Sequence, residues 1–340
     1  MASGLKAWIG ARPRLRGGAL ALFCGLTAGL GHAPYDLPYL AFLGFAGVVW
    51  LWRAAGSAGR AALFAWLAGV GHFGLTLSWI VEPFLVDVAR HGVFAPFAIF
   101  GMSAGLALFW ALAGWIAWRL APARLVAFAG TLALAELARA VVLSGFPWAL
   151  PAYVWADTPL AQAAALTGPH GLTLITLALA GLLATLRPVP VAAAAVGVAA
   201  LWGHGTLRLA EPLAPPGPVV RLVQPNAAQH LKWRRDMIEL FYERQLSASA
   251  APADPRPDVI IWPEAAVPIL LGMRPDLEAE IAAAGQGALS LIGIRRYEEE
   301  RWYNALAAFA PDGTLLAQYD KHHLVPFGEY MPGAPILDRL

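Results

Sequence analysis

At 340 residues the chain is long enough for two domains. Its composition, with 59% hydrophobic and only 14% charged residues, excludes an ordinary soluble protein, because soluble domains carry about 25% charged residues. The net charge of +2 identifies no partner, and the single cysteine, Cys24, excludes an internal disulfide. Since Cys24 lies in the apolar run ALFCGLTAGL, we expect a buried, inert thiol there rather than a nucleophile.

The apolar residues are concentrated in the first 210 positions. From about Pro215 onward the charge density of a soluble protein returns. This change in composition predicts a membrane domain over residues 1–210 and a second domain over 215–340.

Seven segments of the first domain approach the length of about 17–25 apolar residues that a bilayer-spanning helix needs. Because they form a series, residues 5–33 are not interpreted as a cleaved signal peptide. The second segment is short, and the sixth contains Pro169 and His170. The predicted spans are 17–34, 37–52, 61–81, 92–118, 125–143, 165–186 and 189–207.

Basic residues near the ends of these segments predict the orientation of the domain, because cytoplasmic loops are enriched in Lys and Arg. With seven spans, the basic residues of alternate loops fall on the side of the N-terminus, which is therefore predicted to be cytoplasmic. An odd number of spans then places the second domain outside the cytoplasm. The residues that support this orientation are Lys6, Arg12, Arg14, Arg16, Arg53, Arg60, Arg119, Arg124 and Arg187.

Polar residues within the predicted spans have two interpretations. Glu136 and Arg139 are three positions apart and could pair on one helix face, either for a function at membrane depth or for packing alone. The histidines of this domain do not have metal-ligand spacing, so packing or interfacial roles are expected.

The loop 144–159, SGFPWALPAYVWADTP, is interpreted as an interfacial aromatic belt by default. The alternative is a lid over a lipid-facing cleft, if the second domain handles lipid.

The second domain alternates predicted strands and helices, which is typical of a layered α/β fold whose first strands are parallel. The predicted order is a strand in VVRLVQPN (219–226), a helix over 233–249, a strand in VIIWPE, a helix in LEAEIAAAG, a strand in LSLIGIRRY, and a hairpin of NALAAFA and LLAQYDKHHL joined by the turn PDG.

Two titratable residues follow predicted strands of this domain. Glu264 comes after VIIWP, and Lys321 comes after the last strand of the hairpin. A carboxylate that accepts a proton, beside a lysine that stabilises an oxyanion, suits acyl transfer. The alternative is a surface ion pair worth less than about 1 kcal/mol. The rigid Trp-Pro turn before Glu264 and the second acid, Glu329, in VPFGEYMP favour the functional interpretation.

The motifs IIWPEAAVP and YDKHHLVPFGEYMPG resemble the glutamate and lysine motifs of the carbon–nitrogen hydrolase (nitrilase) superfamily. The whole chain is similar to that superfamily's membrane-embedded family, the apolipoprotein N-acyltransferases. QPNAAQHLKW is similar to a segment of this family that carries a functionally important tryptophan, here Trp233. The resemblance implies an αββα sandwich for the second domain, with Glu264 as general base, Lys321 as oxyanion stabiliser, and Glu329 and Trp233 as supporting or substrate-binding residues.

The family's catalytic set also includes a cysteine some tens of residues beyond the lysine motif, followed by a last span. The chain ends at Leu340 before either, and Cys24, in the first predicted span, cannot take the place of that cysteine. We therefore expect a fragment or a truncated gene with an incomplete hydrolase-like domain of poor stability, which leaves a sheet edge unpaired and a sheet face uncovered. The alternative is an inactive membrane protein with a lipid-binding or scaffold role.

The resemblance also implies the reaction and its partners. A phospholipid would donate an acyl chain through a thioester, and a diacylglyceryl apolipoprotein would accept it on its N-terminal cysteine, in the final step of lipoprotein maturation. The reaction needs no metal or organic cofactor and no nucleic acid. The expected location is the bacterial inner membrane, with the catalytic domain on the periplasmic side.

Overall fold

The computed structural model describes residues 13–120, 124–212, 217–228, 230–326 and 329–330. The chain forms two compact units, Met1–Pro212 and Leu213–Leu340.

The described residues of the first unit form helices joined by turns, with no β-strand among them. Helices of sixteen to twenty-five residues alternate with short connections, which include 3-10 turns at Ser78–Leu85, Gly92–Phe94, Pro151–Trp155 and Pro159–Ala163. The α-helices are α1 (Pro13–Gly29), α2 (Pro38–Ala54), α3 (Ala58–Thr76), the single turn α4 (Val88–His91), α5 (Ala95–Arg119), α6 (Arg124–Arg139), α7 (Ala164–Leu183) and α8 (Pro188–Leu209).

Several of these helices are long and apolar enough to cross a membrane. A bent pair, Ala58–Thr76 with Ser78–Leu85, would add one span if both parts count together, and Leu15–Gly29 and Pro38–Ala54 are shorter apolar helices. The count of seven spans and the orientation therefore stay predictions. Within the described chain, the segments that are long and apolar enough to span a membrane are Val88–Arg119, Pro159–Leu183 and Pro188–Leu209.

Three predicted spans are interrupted in the structure, and the one predicted at 165–186 is kinked at Gly168, which has a φ of +67°. The span predicted at 61–81 breaks after Thr76 and bends by 50° into the following 3-10 segment, which contains Pro83, a residue without an N–H for the α-helical ladder. The span predicted at 125–143 ends its helix at Arg139, whose carbonyl accepts a hydrogen bond from Phe146 N. The chain turns back through Gly145, which has a φ of +73°, a conformation that glycine adopts readily.

The core of the first unit consists of closely packed helices with buried aromatic rings. A side chain at Gly25 would place its Cβ 1.9 Å from Ala68 O, so α1 and α3 approach at backbone contact, as small residues allow in membrane helices. Buried indoles find partners within the protein: Trp52 Nε1 donates to Gly114 O at 3.0 Å, and Trp155 Nε1 donates to Thr176 Oγ1 at 3.0 Å. Because the bilayer core contains no water, polar groups there need hydrogen-bond partners within the protein.

The second unit contains a mixed five-stranded sheet in the order β1-β2-β3-β4-β5. The pairs β1–β2 and β2–β3 are parallel, and β3–β4 and β4–β5 are antiparallel, which confirms the predicted parallel start and the final hairpin. The elements are β1 (Val220–Leu222), α9 (Ile238–Ala250), β2 (Val259–Ile261), α10 (Pro275–Ala284), β3 (Leu289–Glu298), β4 (Arg301–Phe309) and β5 (Leu315–Asp320).

One helix boundary and one strand connection differ from the prediction. The helix predicted from residue 233 begins at Ile238, because residues 231–237 form successive turns with bonds such as Arg234 N to Leu231 O and Met237 N to Arg234 O. The strands β3 and β4 form a second hairpin that the sequence analysis missed. Its turn residues Glu299 and Glu300 have φ values of +49° and +60°, and no Gly or Asn marked the turn.

One face of the sheet is covered, and its core includes Ile260, Ile292, Ile294 and Phe309 with Ile281 of α10. The opposite face, defined by the strand alternation and register, presents exposed side chains at Leu222, Leu306 and Tyr319. Among the described residues the unit thus has one sheet with its helical cover, and the predicted four-layer αββα sandwich stays a prediction.

Candidate functional site

The turn that carries Glu264 is anchored on both sides. Before it, Trp262 is buried, with its backbone N bonded to Leu291 O at 2.9 Å and its indole Nε1 bonded to Ser249 Oγ at 2.8 Å. Beside it, a Cβ at Gly293 would lie 2.1 Å from Pro263 O and 2.7 Å from Glu264 Cα. Only glycine on β3 therefore lets the Trp-Pro-Glu turn lie directly against the sheet.

Lys321 is positioned by the last hairpin. Ala305 of β4 pairs with Asp320 of β5, and Lys321 N donates to Asn304 O at 2.8 Å just beyond that pair. The ladder therefore fixes Asn304 and Lys321 side by side, next to the turn that carries Glu264.

The structure brings Glu264, Lys321 and Glu329 together, with Asn304 between the two acids. Lys321 Nζ lies 3.1 Å from Glu264 Oε1 and 3.0 Å from Glu329 Oε1. Asn304 Nδ2 donates to Glu329 Oε1 at 3.0 Å and also to Glu264 Oε1. Val325 N donates to Glu329 Oε2 at 2.7 Å, so both oxygens of Glu329 are occupied.

The cluster is partly open to solvent, with side-chain exposures of 62% for Glu264, 30% for Lys321 and 24% for Glu329. Partial burial disfavours the charge on Lys321, but its bonds to Glu329 and Glu264 outweigh this and raise the pKa of the lysine. Partial burial likewise opposes ionisation of Glu329. The bonds from Val325 N, Asn304 and Lys321 outweigh it and lower the pKa of that carboxyl. Lys321 and Glu329 are thus held as an ion pair.

Two groups of the cluster keep free hydrogen-bonding capacity. Glu264 Oε1 accepts from Asn304 and Lys321, whereas no described residue donates to Oε2. The ammonium of Lys321 has three N–H donors and uses two on the carboxylates, which leaves one. One oxygen able to take a proton and one N–H able to meet an anion therefore lie beside each other, the minimum that general-base and oxyanion chemistry requires.

A depression of about 440 Å³ lies at this cluster. Its lining joins the polar groups Glu264, Asn304 and Lys321 to the apolar side chains Leu306 and Tyr319. The site therefore opens onto apolar surface on the uncovered face of the sheet.

Trp233 lies near the cluster without touching Glu264 or Lys321 in any described bond. Its neighbour Lys232 makes the connection: Lys232 Nζ donates to Glu264 O at 3.0 Å and lies 5.3 Å from the centre of the Trp233 ring. Trp233 and Lys232 also line a smaller cavity of about 120 Å³ with Pro263 and Ala265. Trp233 is thus tied to the backbone of the Glu264 turn through its neighbour.

The sequence analysis missed Asn304 and Lys232. A signal for Asn304 was present, because it is a polar residue in the strand that pairs with the one ending at Lys321. Lys232 had no comparable signal, since it lies between the strand predicted in 219–226 and the helix predicted over 233–249, in turns that the sequence did not indicate. Within the described part of the chain, no group of three or more His, Cys, Asp or Glu side chains could hold a metal ion.

Comparison with known proteins shows what the chain resembles. Residues 24–182 match the family model of the apolipoprotein N-acyltransferase N-terminal domain. Relatives named apolipoprotein N-acyltransferase include those of Caulobacter vibrioides, 44% identical over 96% of the chain and 66% of the relative, and of Brucella melitensis, 36% identical over 92% and 65%. The relative from Sinorhizobium fredii is 33% identical over 95% of the chain and 68% of its own length.

The chain spans about two thirds of the length of these curated relatives. The matches run through both units, since they cover more than nine tenths of the chain at 33–44% identity. Its apolar helices and these relatives identify it as a bacterial membrane protein. The chain belongs to the apolipoprotein N-acyltransferase family.

Proposed function

We propose that the protein transfers an acyl chain from a phospholipid to the N-terminal diacylglyceryl-cysteine of apolipoproteins. The observation that carries the proposal is the 3.1 Å contact between Lys321 Nζ and Glu264 Oε1 beside an open apolar depression. The names of the relatives support lipoprotein N-acylation in general. The residue roles and the thioester route follow from the chemistry of the cluster and from the resemblance of its motifs.

In the first half-reaction, Glu264 Oε2 takes the proton of a cysteine thiol that lies outside these 340 residues. The thiolate attacks the carbonyl carbon of a phospholipid acyl ester. The unused N–H of Lys321 stabilises the oxyanion of the tetrahedral intermediate. When the intermediate collapses, the ester C–O bond breaks, the lysophospholipid leaves with the proton from Glu264, and a thioester remains.

In the second half-reaction, the amino group of the apolipoprotein's N-terminal cysteine attacks the thioester carbonyl. The amine loses a proton to Glu264, the C–S bond breaks, and the thiolate recovers that proton. Glu329 keeps Lys321 charged and in place throughout, and Asn304 keeps Glu264 Oε1 occupied, so that Oε2 stays the reacting oxygen. The scheme uses no metal or organic cofactor.

The proposed location is the inner membrane, with the N-terminus cytoplasmic and the second unit in the periplasm. The distribution of basic residues supports this orientation, and substrates that are both membrane-anchored explain why a hydrolase-like unit is joined to apolar helices. Alkaline phosphatase fused after Pro212 should be active, and the same reporter fused after Ala55 should be inactive. The reverse pattern would overturn the orientation.

The activity is tested with a fusion in which the C-terminal third of the Caulobacter vibrioides relative follows residue 340. The fusion is incubated with phosphatidylethanolamine that carries a labelled acyl chain and with a diacylglyceryl lipopeptide. We expect N-acyl lipopeptide and lysophospholipid in equal amounts, identified by mass spectrometry.

Two controls make this test specific. Replacing each cysteine of the added third with serine, one at a time, should abolish both products in one variant, and Cys24→Ser should leave both unchanged. A fusion that is folded and membrane-bound but forms neither product would contradict the proposal and favour a lipid-binding or scaffold role.

A further inference from the structure

Two cations lie close to the indole ring of Trp233 in the second unit. The guanidinium carbon of Arg295 lies 4.9 Å from the ring centre, and Lys232 Nζ lies 5.3 Å from it. Both distances are within the range of about 6 Å for cation–π attraction. Trp233 itself is 42% exposed, so two positive charges gather around one accessible ring.

Arg295 has no anionic partner among the described residues. No carboxylate pairs with it, and its Nε is buried without a hydrogen-bond acceptor, an arrangement that costs free energy in the absence of a ligand. Its neighbour Arg296 shows the contrast, because it bonds to Asp320 at 2.6 Å and also to Glu298. The unpaired guanidinium is therefore a feature of one position on β3 rather than of the strand.

Arg295 lies on the same face of the sheet as the residues of the candidate site. In the β3–β4 register it lies opposite Asn304, whose side chain contacts Glu264 and Glu329. Two positions earlier on the same face, Gly293 supports the Glu264 turn. An anion bound at Arg295 would thus lie next to the acyl-transfer groups without replacing any of their contacts.

Lys232 is held beside the same site by its bond to Glu264 O. Burial lowers the pKa of this lysine and the charge of Arg295 lowers it further, while the charge of Glu264 opposes the shift. The two cations therefore repel each other in a partly desolvated place. An anion close to both would offset this repulsion.

We propose that Lys232, Trp233 and Arg295 form a subsite for a phosphate diester, the headgroup phosphate of the phospholipid acyl donor. The inference rests on the proposed function and adds the feature by which the donor is recognised. An arginine fork and a lysine ammonium are the groups that bind phosphate oxygens in proteins. The diacylglycerol part of the lipid carries no charge, so the phosphate is the group these cations select.

The test measures binding, so it does not depend on turnover. The full 340-residue chain in a neutral detergent is titrated with dioctanoylphosphatidylethanolamine, with dioctanoylglycerol, which lacks the phosphate, and with inorganic phosphate. Arg295→Gln and Lys232→Gln are each compared with Arg301→Gln, which removes an exposed charge at the start of β4. Circular dichroism and the thermal midpoint establish that each variant is folded.

We expect Arg295→Gln and Lys232→Gln each to weaken phosphatidylethanolamine binding by about tenfold or more, the scale of a lost charge-assisted bond. Arg301→Gln should have no effect, and dioctanoylglycerol should bind weakly and equally to all variants. Phosphatidylethanolamine affinity that is the same in folded Arg295→Gln and in the parent chain would overturn the subsite. Inorganic phosphate that binds as tightly as the lipid would show a free-anion site and overturn the headgroup assignment.

Failure of the subsite is distinguishable from failure of the proposed function. Lys321→Ala should keep phosphatidylethanolamine binding while losing acyl transfer in the fusion. An active fusion that tolerates Arg295→Gln without change would overturn the subsite alone, whereas Arg295-dependent lipid binding by a fusion without acyl transfer would overturn the function alone.

Discussion

The two units each contain an acid paired with a base, and the pairs differ in what they leave unused. In the first unit, Glu136 and Arg139 are fully buried, with side-chain exposures of 0% and 1%. Trp110 Nε1 donates to Glu136 Oε1 at 2.5 Å, and Arg139 donates to Glu136 Oε2 and to Phe146 O. In the second unit, Glu264 and Lys321 are partly exposed, and each keeps a free hydrogen-bonding position.

This difference separates a packing role from a chemical one. Both oxygens of Glu136 have partners inside the protein, and its side chain is inaccessible to solvent. Its charge instead holds Arg139, which binds the start of the 144–159 loop at Phe146 O. Of the two roles that the sequence left open for this pair, the closed network favours packing. The open pair of the second unit is the one suited to reaction.

Breaking the buried pair should have the largest effect. Glu136→Met leaves the guanidinium of Arg139 buried without its partner, which costs about 3–5 kcal/mol. The unfolding free energy in mixed detergent and sodium dodecyl sulfate micelles measures this loss. The double variant Glu136→Met/Arg139→Met should recover most of it, since no uncompensated charge then remains. A single variant as stable as the parent would mean that the pair does not hold the helices.

Removing the lysine of the open pair should have a smaller total effect, and it should appear in the acyl-transfer rate rather than in stability. Lys321→Ala in the fusion should lower the acyl-transfer rate by about 10²–10³-fold, the scale of one lost oxyanion donor. The thermal midpoint should change little, because a partly exposed ion pair contributes about 0–1 kcal/mol. Arg301→Gln is the matched control for charge, and an unchanged rate in folded Lys321→Ala would contradict the assigned role.

Substitution of Asn304 tests whether the orientation of the Glu264 carboxylate affects the acyl-transfer rate. Asn304→Ala removes the amide that bonds to both carboxylates but leaves its backbone bond to Lys321 N. We expect the acyl-transfer rate to fall about tenfold, equivalent to about 1.4 kcal/mol, with a small change in KM. If Asn304 served folding alone, the rate per folded molecule would stay the same.

The pH dependence of stability should show the smallest effect. The pKa of Glu329 is lowered in the folded state, so its contribution is complete above the ordinary value of about 4.3 and is lost as the pH falls through the lower folded value. The pKa of Lys321 is raised, so its contribution is complete below about 10.4 and is lost as the pH rises through the folded value.

This contribution is measured as the urea midpoint of the second unit against pH, followed by near-ultraviolet circular dichroism. Glu329→Gln should reduce the loss of stability at acid pH by less than about 1 kcal/mol. Asp320 and Asp276 have pKa values lowered by bonds from Arg296 and Arg274, so they should account for the remaining loss of stability at acid pH. If Glu329→Gln left the acid part of the stability–pH curve unchanged, the Glu329 carboxylate would not be stabilised by folding.

The sequence predicted those parts of the structure that depend on local patterns. Alternating apolar strands and the PDG turn were sufficient for the parallel start and the last hairpin, and hence for Glu264 and Lys321 at strand ends. The turn at Glu299–Glu300 was missed, because its residues adopt a left-handed conformation without the usual glycine or asparagine.

Contacts that arise only from tertiary structure could not be predicted. Asn304 meets Glu264 across 40 residues and Glu329 across 25, and Lys232 reaches Glu264 O across 32. Likewise, the closed network of Glu136 depends on Trp110 from another helix. The sequence showed that Glu136 and Arg139 could pair within α6, but only the packing of the helices shows that both oxygens of Glu136 have partners inside the protein.

The central claim, that Glu264 is the base of an acyl-transfer site, is tested most directly by acyl-enzyme formation. The fusion and its Glu264→Gln variant are incubated with labelled phosphatidylethanolamine without acceptor, and the hydroxylamine-labile label on the protein is followed in time. Glu239→Gln, in the first turn of α9, is the matched control. The account predicts that Glu264→Gln, with an unchanged thermal midpoint, forms acyl-enzyme at least about 100-fold more slowly. Formation at the parent rate would contradict it.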